Sequence, residues 1–490
     1  TLANNMKRQL LTMQILRWML LALTLALVSA QRIGPNYGIT IRLTHKGLNF
    51  AGTAAATALF RPSTRLPNIA GRVGSVRYGA SSIRFSGVTP PRVEVFPGFA
   101  GRNPSAKMTI DEITIDGNIW ASRIFVHRSG SFQIRASRIS VETFVSLGNN
   151  SRGKPEVEFD SCSRNSFSVA FTRRPTSVIG RMVSETIIRQ RLETHLRVQL
   201  CSRVRGLIRQ LNDKLAELQT VTRLTQDNRI TLDYSLIRNP SPHLFFIDTV
   251  LKGDPTWRGR RTGISTITRT EQFNFQHFNK MAIFYITDYV LNALGLLLHN
   301  DRQIQADITR DKISSSVIRQ RLALSCTSSN CAGGIFPDLR TRYPDGWLEA
   351  DLRSTSAPRA VIGNDLVTGN FQGRFVLYVK RPSGSRIQVA SGQANLRVPL
   401  VLSIRGNLIR AFIPNPRITI TRATLPIPQV ARALALFQRG FIHRSMAQLS
   451  LAGFPLPSYR GITFISPRIE IGNRVIRLVT DLRYTPTSTG

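Results

Sequence analysis

The chain has 490 residues, 42% of them hydrophobic, with 66 Lys and Arg against 28 Asp and Glu and a formal net charge of +38. That apolar fraction excludes disorder, the length exceeds what one core usually serves, and the charge points to polyanionic partners: nucleic acid, anionic membrane, lipopolysaccharide or sulfated glycan. The excess is not a tail, because residues 31–240 carry 31 basic and 14 acidic side chains and residues 281–490 carry 26 and 11.

Lys7, Arg8 and Arg17 flank the start of an apolar run over residues 18–28, which ends in Ser29-Ala30. A positive region, a short apolar stretch and small residues predict a signal peptide cleaved before Gln31; the run is too short for a membrane span. Thr1 to Asn5 precede the first Met and read as a non-native leader. Export removes nucleic acid from the expected partners and permits disulfides. Four cysteines, Cys162, Cys201, Cys326 and Cys331, fall two to each half, so pairing within each half is the simplest arrangement, and no His or Cys pair has zinc-ligand spacing.

Residues 38–59 alternate as a strand through Ile39, Ile41 and Leu43 and then turn to helix-forming Ala and Leu. The plan returns from Met281. Setting Thr44 against Thr287 brings Leu48 onto Leu291, Asn49 onto Asn292 and Gly52 onto Gly295 at one offset. A repeat this distant predicts two similar domains in tandem and not a solenoid. Between 65 and 160 short alternating runs predict a long antiparallel meander, with strands read at 73–76, 83–85, 93–95, 108–110, 113–115, 124–126, 132–134 and 139–141. Asn149-Asn150-Ser151 offers one glycosylation sequon in a Gly- and Asn-rich loop. From 177 to about 211 apolar residues recur at helical spacing, from Ile179 through Leu200 to Leu211, with Arg on the other faces. This predicts a helix packed on the sheet and stapled to it through Cys201, with loop closure worth on the order of 3–4 kcal/mol. Pro and Gly break up residues 239–261, which read as a junction. The second half then repeats strand, helix, short strands (375–379, 387–389, 400–404), a long apolar helix over 427–449 and final strands to residue 479.

With these pieces assembled, the chain resembles the family of bactericidal permeability-increasing protein, lipopolysaccharide-binding protein and the plasma lipid transfer proteins. The matching pieces are residues 38–43 followed by Lys46-Gly47-Leu48, Gly153-Lys154-Pro155 leading to Ser161-Cys162, Cys201 in the long helix, Thr287-Asp288-Tyr289, and Gly453-Phe454-Pro455-Leu456-Pro457. The resemblance implies an α+β fold of two tandem similar domains, each a twisted, barrel-like antiparallel sheet wrapped round a long helix, joined by a central sheet in an elongated boomerang. The expected division is 1–30 signal peptide, 31–240 N-terminal barrel domain, 241–280 linker and central-sheet region, and 281–490 C-terminal barrel domain. It also implies two apolar pockets, each holding a phospholipid, with no other cofactor and no metal. Lipopolysaccharide would meet basic residues at the tip of the N-terminal barrel, at positions here around Arg61, Arg65, Arg72, Trp120, Arg123 and Arg128. Arg guanidinium groups engage phosphate by paired hydrogen bonds as well as charge. Two departures stand out. The 116–123 turn carries Asn118 and Ile119 where more lysines would be expected, and the C-terminal half is as basic as the N-terminal one. Cys326 and Cys331 match no part of the family pattern.

The expected function is that of a secreted cationic protein binding lipopolysaccharide or other anionic lipid at bacterial membranes, in innate defence. The alternative is a phospholipid carrier without bactericidal role, and sulfated glycan is a further candidate partner. Absent a Gly-x-Ser-x-Gly elbow, His-Glu-x-x-His, a Walker loop or Gly-x-Gly-x-x-Gly opening a helix, no enzyme is expected.

Overall fold

A computed structural model describes residues 38–59, 65–98, 101–123, 126–164, 168–173, 189–224, 229–261, 279–313, 315–363, 365–406, 408–438, 454–456 and 462–485. The predicted signal peptide, Arg61, the 124–125 end of one predicted strand, the start of the first long helix and the end of the second lie outside these residues.

The strands are β1 (Ile39–Thr44), β2 (Ile69–Val73), β3 (Val76–Val88), β4 (Arg92–Phe96), β5 (Ser105–Arg123), β6 (Val126–Asn149), β7 (Pro155–Arg164), β8 (Ser168–Arg173), β9 (Val221–Arg223), β10 (Ile230–Asp233), β11 (Ser241–His243), β12 (Phe246–Leu251), β13 (Asp254–Trp257), β14 (Arg260–Arg261) and β15 (Ala282–Thr287). They continue as β16 (Gln305–Ile308), β17 (Trp347–Ser354), β18 (Arg359–Gly363), β19 (Leu366–Lys380), β20 (Arg386–Arg405), β21 (Leu408–Phe412), β22 (Arg417–Ala423), β23 (Phe454–Pro455), β24 (Ile462–Gly472) and β25 (Val475–Tyr484). The α-helices are α1 (His45–Leu59), α2 (Arg189–Ala216), α3 (Asp288–Asn300), α4 (Ser316–Arg321), α5 (Ala332–Ile335), α6 (Pro337–Arg342) and α7 (Ile427–Phe437).

A six-stranded sheet, ordered β11-β12-β1-β15-β25-β24, takes strands from both halves. At its centre β1 pairs antiparallel with β15, and Ile41 faces Phe284. Phe284 lies 243 residues after Ile41, the offset that relates Thr287 to Thr44. The central pair is therefore both bonded and equivalent in the repeat, and a local two-fold relation passes between its members. Thr44 N donates to Met281 O at 3.1 Å and Thr287 N to Gly38 O at 3.0 Å, the same bond seen from either side.

Two further identities of the repeat, Asn49 with Asn292 and Gly52 with Gly295, have matching roles in the two helix–strand contacts. Asn49 Oδ1 accepts from Val95 N of β4 at 2.6 Å, and Asn292 Oδ1 accepts from Ala360 N of β18 at 2.7 Å. A Cβ on Gly52 would meet Val93 Cγ1 at 2.7 Å, and one on Gly295 would meet Pro358 O at 2.7 Å. Glycine lets each helix close on its strand, and asparagine fills a hydrogen bond that the strand edge leaves open.

The N-terminal sheet runs β2-β3-β5-β6-β7, with β4 on β5 and β8 on β6. Tyr78, Phe85, Ile110, Ile115, Phe132 and Ile134 line its buried face. Helix α2 lies against β7 and is tethered by the Cys162–Cys201 disulfide, as expected. Asn212 completes the contact, donating to Val157 O and accepting from Val157 N. Residues 116–123, expected as a turn, are the end of β5 and pair with β6, and two further expectations change. The runs at 108–110 and 113–115 are one strand, β5, and those at 132–134 and 139–141 are one strand, β6; the polar residues between them continue the pairing. Leu211, placed on the apolar stripe of the helix, is 46% exposed, whereas Leu200 is buried in the core.

The C-terminal sheet runs β16-β17-β19-β20-β21-β23, with β18 on β19 and β22 on β20. Its core joins Leu348, Phe375, Leu377 and Val379 to Val430, Leu434 and Phe437 of α7. Cys326 and Cys331 form the second disulfide, just before α5. A third core packs Ile39, Phe284, Ile286 and Leu478 of the central sheet against Ile362, Val367 and Ile409. The runs at 387–389 and 400–404 are likewise one strand, β20.

Candidate functional site

Two hairpin ends meet at one end of the N-terminal sheet. Strands β2 and β3 join through Gly74-Ser75, and Gly74 takes φ +55°. A two-residue turn sets its flanks directly opposite, so Arg72 pairs with Arg77. Arg77 in turn pairs with Ser122 of β5, and Ser122 with His127 of β6. One row across four strands therefore reads Arg72, Arg77, Ser122, His127. The next residues of the β5–β6 hairpin add Arg123, opposite Val126, and Arg128, opposite Ala121.

Alternation assigns the faces. Tyr78 and Ala121 are buried, so Arg72 and Arg77 lie on the opposite, outer face. Trp120 shares that face, half-buried over Gly79, where an added Cβ would meet its Nε1 at 2.6 Å. Its ring stacks on His127 with centroids 6.2 Å apart. Arg72, Arg77, Arg123 and Arg128 are all exposed. Arg72 Nε donates to Gly74 O at 3.0 Å, and no ion pair to any of the four occurs among the described residues.

The acids of this sheet lie elsewhere. Residues 61–93 and 117–141 contain no Asp or Glu. Asp111 is held by Arg92, Glu112 by Arg135, and Asp116 accepts from Gln133. Arg65 stands apart from the tip. It bridges to Arg84, seven residues along β3 from Arg77, roughly 20 Å away at strand spacing, and its carbonyl accepts from Arg203 of α2. The structure thus brings Arg72 and Trp120 together on the outer face of the tip, places Arg123 and Arg128 at the same end but on the face of Ala121, and leaves Arg65 out. It adds Arg77 and His127, which the sequence reading passed over. Gly74-Ser75 is the signal for it: residues 73–76, expected as strand, form the β2–β3 turn.

Asn149 ends β6 and faces Pro155. Its side chain is half-buried and its Oδ1 is buried without a partner among the described residues. It lines a cavity of about 330 Å³ with Arg152, Asp233, Ser235 and Lys252. Ser235 N and Oγ donate to Asp233, and Lys252 adds charge, holding that carboxyl below its ordinary range against the opposing effect of burial, the largest single influence. The lining is polar and unlike an acyl-chain pocket. Among the described residues no group of three or more His, Cys, Asp or Glu could hold a metal ion.

Residues 225–484 match the model of the LBP / BPI / CETP family, C-terminal domain. The chain belongs to this family. It is 24% identical to human lipopolysaccharide-binding protein, across 95% of this chain and 97% of that one. It is 20% identical to bactericidal permeability-increasing protein of Sebastes schlegelii, across 95% and 100%. The crystal structure of lipopolysaccharide binding protein superposes with a TM-score of 0.63 at 19% identity, covering 92% of this chain and all of that one. The family's α+β fold, two similar units of twisted sheet and helix joined through a central sheet, is the fold of this chain.

Proposed function

We propose that the protein is a secreted, cationic lipid-binding protein that takes bacterial lipopolysaccharide or another anionic lipid at the N-terminal hairpin tip, in antibacterial defence. The observation that carries this reading is an acid-free hairpin end that presents Arg72 and Arg77 beside the half-buried Trp120 on its outer face and exposed Arg123 and Arg128 on the other. Guanidinium groups in this spacing suit lipid phosphates, and an indole suits the headgroup boundary. Relatives named for lipopolysaccharide binding support the ligand class. Phospholipid held in apolar pockets belongs to the same reading.

The test is binding of the Arg72→Glu/Arg77→Glu/Arg123→Glu chain to lipopolysaccharide vesicles across a salt series. Each basic residue near an anionic surface contributes about 1 kcal/mol, so the triple reversal should weaken low-salt binding by more than about a hundredfold. Unchanged affinity would remove the tip from the binding site. If that chain also carries phosphatidylcholine between vesicles, the carrier alternative is the better reading.

A further inference from the structure

The second concentration of unneutralised charge lies on the C-terminal sheet. Residues 366–469 contain no Asp or Glu. Strand register gathers four of their arginines, with Arg353 and Arg359 from the preceding strands, into two rows on one face. In the first, Arg353 of β17 faces Arg374 of β19, which faces Gln393 of β20, which faces Arg422 of β22. In the second, Arg359 of β18 faces Asn370, which faces Arg397, which faces Arg417. Gln372, Asn395 and Thr419 form the row between them. All six arginines are exposed, and none has an ion-pair or hydrogen-bond partner among the described residues. The rows are four residues apart, roughly 13 Å, and each is about 14 Å wide.

Beyond Gln393 the same face is neutralised, because Arg386 engages Glu349 and Asp351 at 2.9 Å. In the other direction it becomes apolar. Val361, Val401 and Phe412 are 49%, 51% and 63% exposed, and Val401 faces Phe412 across the β20–β21 pair. Arg405 and Arg410 follow on the far side, and Arg410 Nε is buried without a partner among the described residues. Asp365, in the β18–β19 turn, and Glu470 bound the acid-free stretch on either side.

An exposed apolar strip between arginine rows fits a bilayer surface better than a soluble polyanion, which would leave the strip in water. We infer that this outer face of the C-terminal sheet docks on an anionic phospholipid bilayer, with Val401 and Phe412 entering the headgroup boundary and the arginine rows engaging lipid phosphates. The contact needs no residue of the N-terminal tip and so goes beyond the reading above. It accounts for a C-terminal half as basic as the N-terminal one, and it leaves the tip free while the chain rests on a membrane.

The test uses the full chain with vesicles of phosphatidylcholine and phosphatidylglycerol. An exposed Phe412→Trp reporter should shift its emission to the blue on these vesicles and be quenched by brominated acyl chains. The Val401→Ser/Phe412→Ser chain should bind roughly tenfold more weakly at about 0.5 M salt, where screening leaves the apolar part. Arg374→Glu/Arg397→Glu/Arg417→Glu should remove most binding at low salt. The reporter signal should persist when the tip carries its triple reversal, which separates the two sites. A reporter unmoved on vesicles that sediment the protein overturns the docking surface and leaves the tip untouched. So does a face whose arginine variants lose heparin but keep the vesicles.

Discussion

Arg42 carries a charge into the middle of the central sheet. Its Nε and Nη2 donate to the two carboxylate oxygens of Asp248 at 2.8 Å, and both side chains are 5% exposed. The guanidinium lies 3.8 Å from the Phe246 ring centroid and 5.3 Å from that of Tyr285. Removing one partner strands the other, so Asp248→Asn should lower the unfolding free energy by about 3–5 kcal/mol. The paired change Arg42→Met/Asp248→Leu should recover most of that loss in urea titrations; equal losses would mean that packing and not charge sets the cost. His243 stands beside the pair, 3.9 Å from Asp248 and stacked on Phe246. Burial is the main influence on it and pushes its pKa below the ordinary 6.5; Arg42 and Arg238 act in the same direction, and Asp248 opposes them. The unfolded chain therefore takes up the proton first as pH falls. Stability is full above about 6.5 and is lost as pH drops from there toward the folded value. Urea midpoints should fall between about pH 7 and pH 5, and His243→Phe, which keeps the stack, should flatten that slope.

At the scale of elements, the two helix–strand contacts rest on one asparagine each. Asn49→Ala leaves Val95 N of β4 without its acceptor, and Asn292→Ala does the same to Ala360 N of β18. Each should cost about 1–3 kcal/mol and speed hydrogen exchange in its own strand, with the other half unaffected. Coupled loss in both strands would show that the halves open together. These contacts were legible in the sequence, because Thr44, Asn49 and Gly52 recur at one offset in positions that only a shared local geometry requires. The tip was legible in part. Arg72, Trp120, Arg123 and Arg128 stand out as basic and aromatic residues near turns, but Arg77 enters only once Gly74-Ser75 is seen as the turn. Arg65 lies away from the tip, because sequence proximity to Arg72 says nothing about position along β3. The strand lengths failed for a related reason: Ser82 and Arg138 adopt positive φ within β3 and β6, so the chain bends there and does not turn back. The C-terminal arginine rows were beyond reach, since Arg353, Arg374 and Arg422 become neighbours only through register.

The whole molecule depends on the junction between β1 and β15. A chain cut after residue 240 would lose β11 and β12, leaving β1 without either neighbour. A fragment of residues 31–261 keeps β12 and, of the two neighbours of β1, loses β15, which exposes that edge. That edge has a defined complement. Ile41 and Phe284 face each other and are equivalent in the repeat, so a second copy of β1, run antiparallel, presents the same geometry with Ile41 opposite Ile41. An open strand edge beside buried apolar residues pairs with whatever matches it, and a two-fold contact closes on itself. The 31–261 fragment should therefore form a concentration-dependent dimer in sedimentation experiments, while the full chain, whose β15 occupies the edge, forms none by this route. Thr44 N points toward β15, and by alternation so does Thr40 N. Thr40→Pro deletes that donor and should return the fragment to a monomer. A fragment that is monomeric at every concentration without this change would place the coupling of the halves in the third core and not in the strand pair.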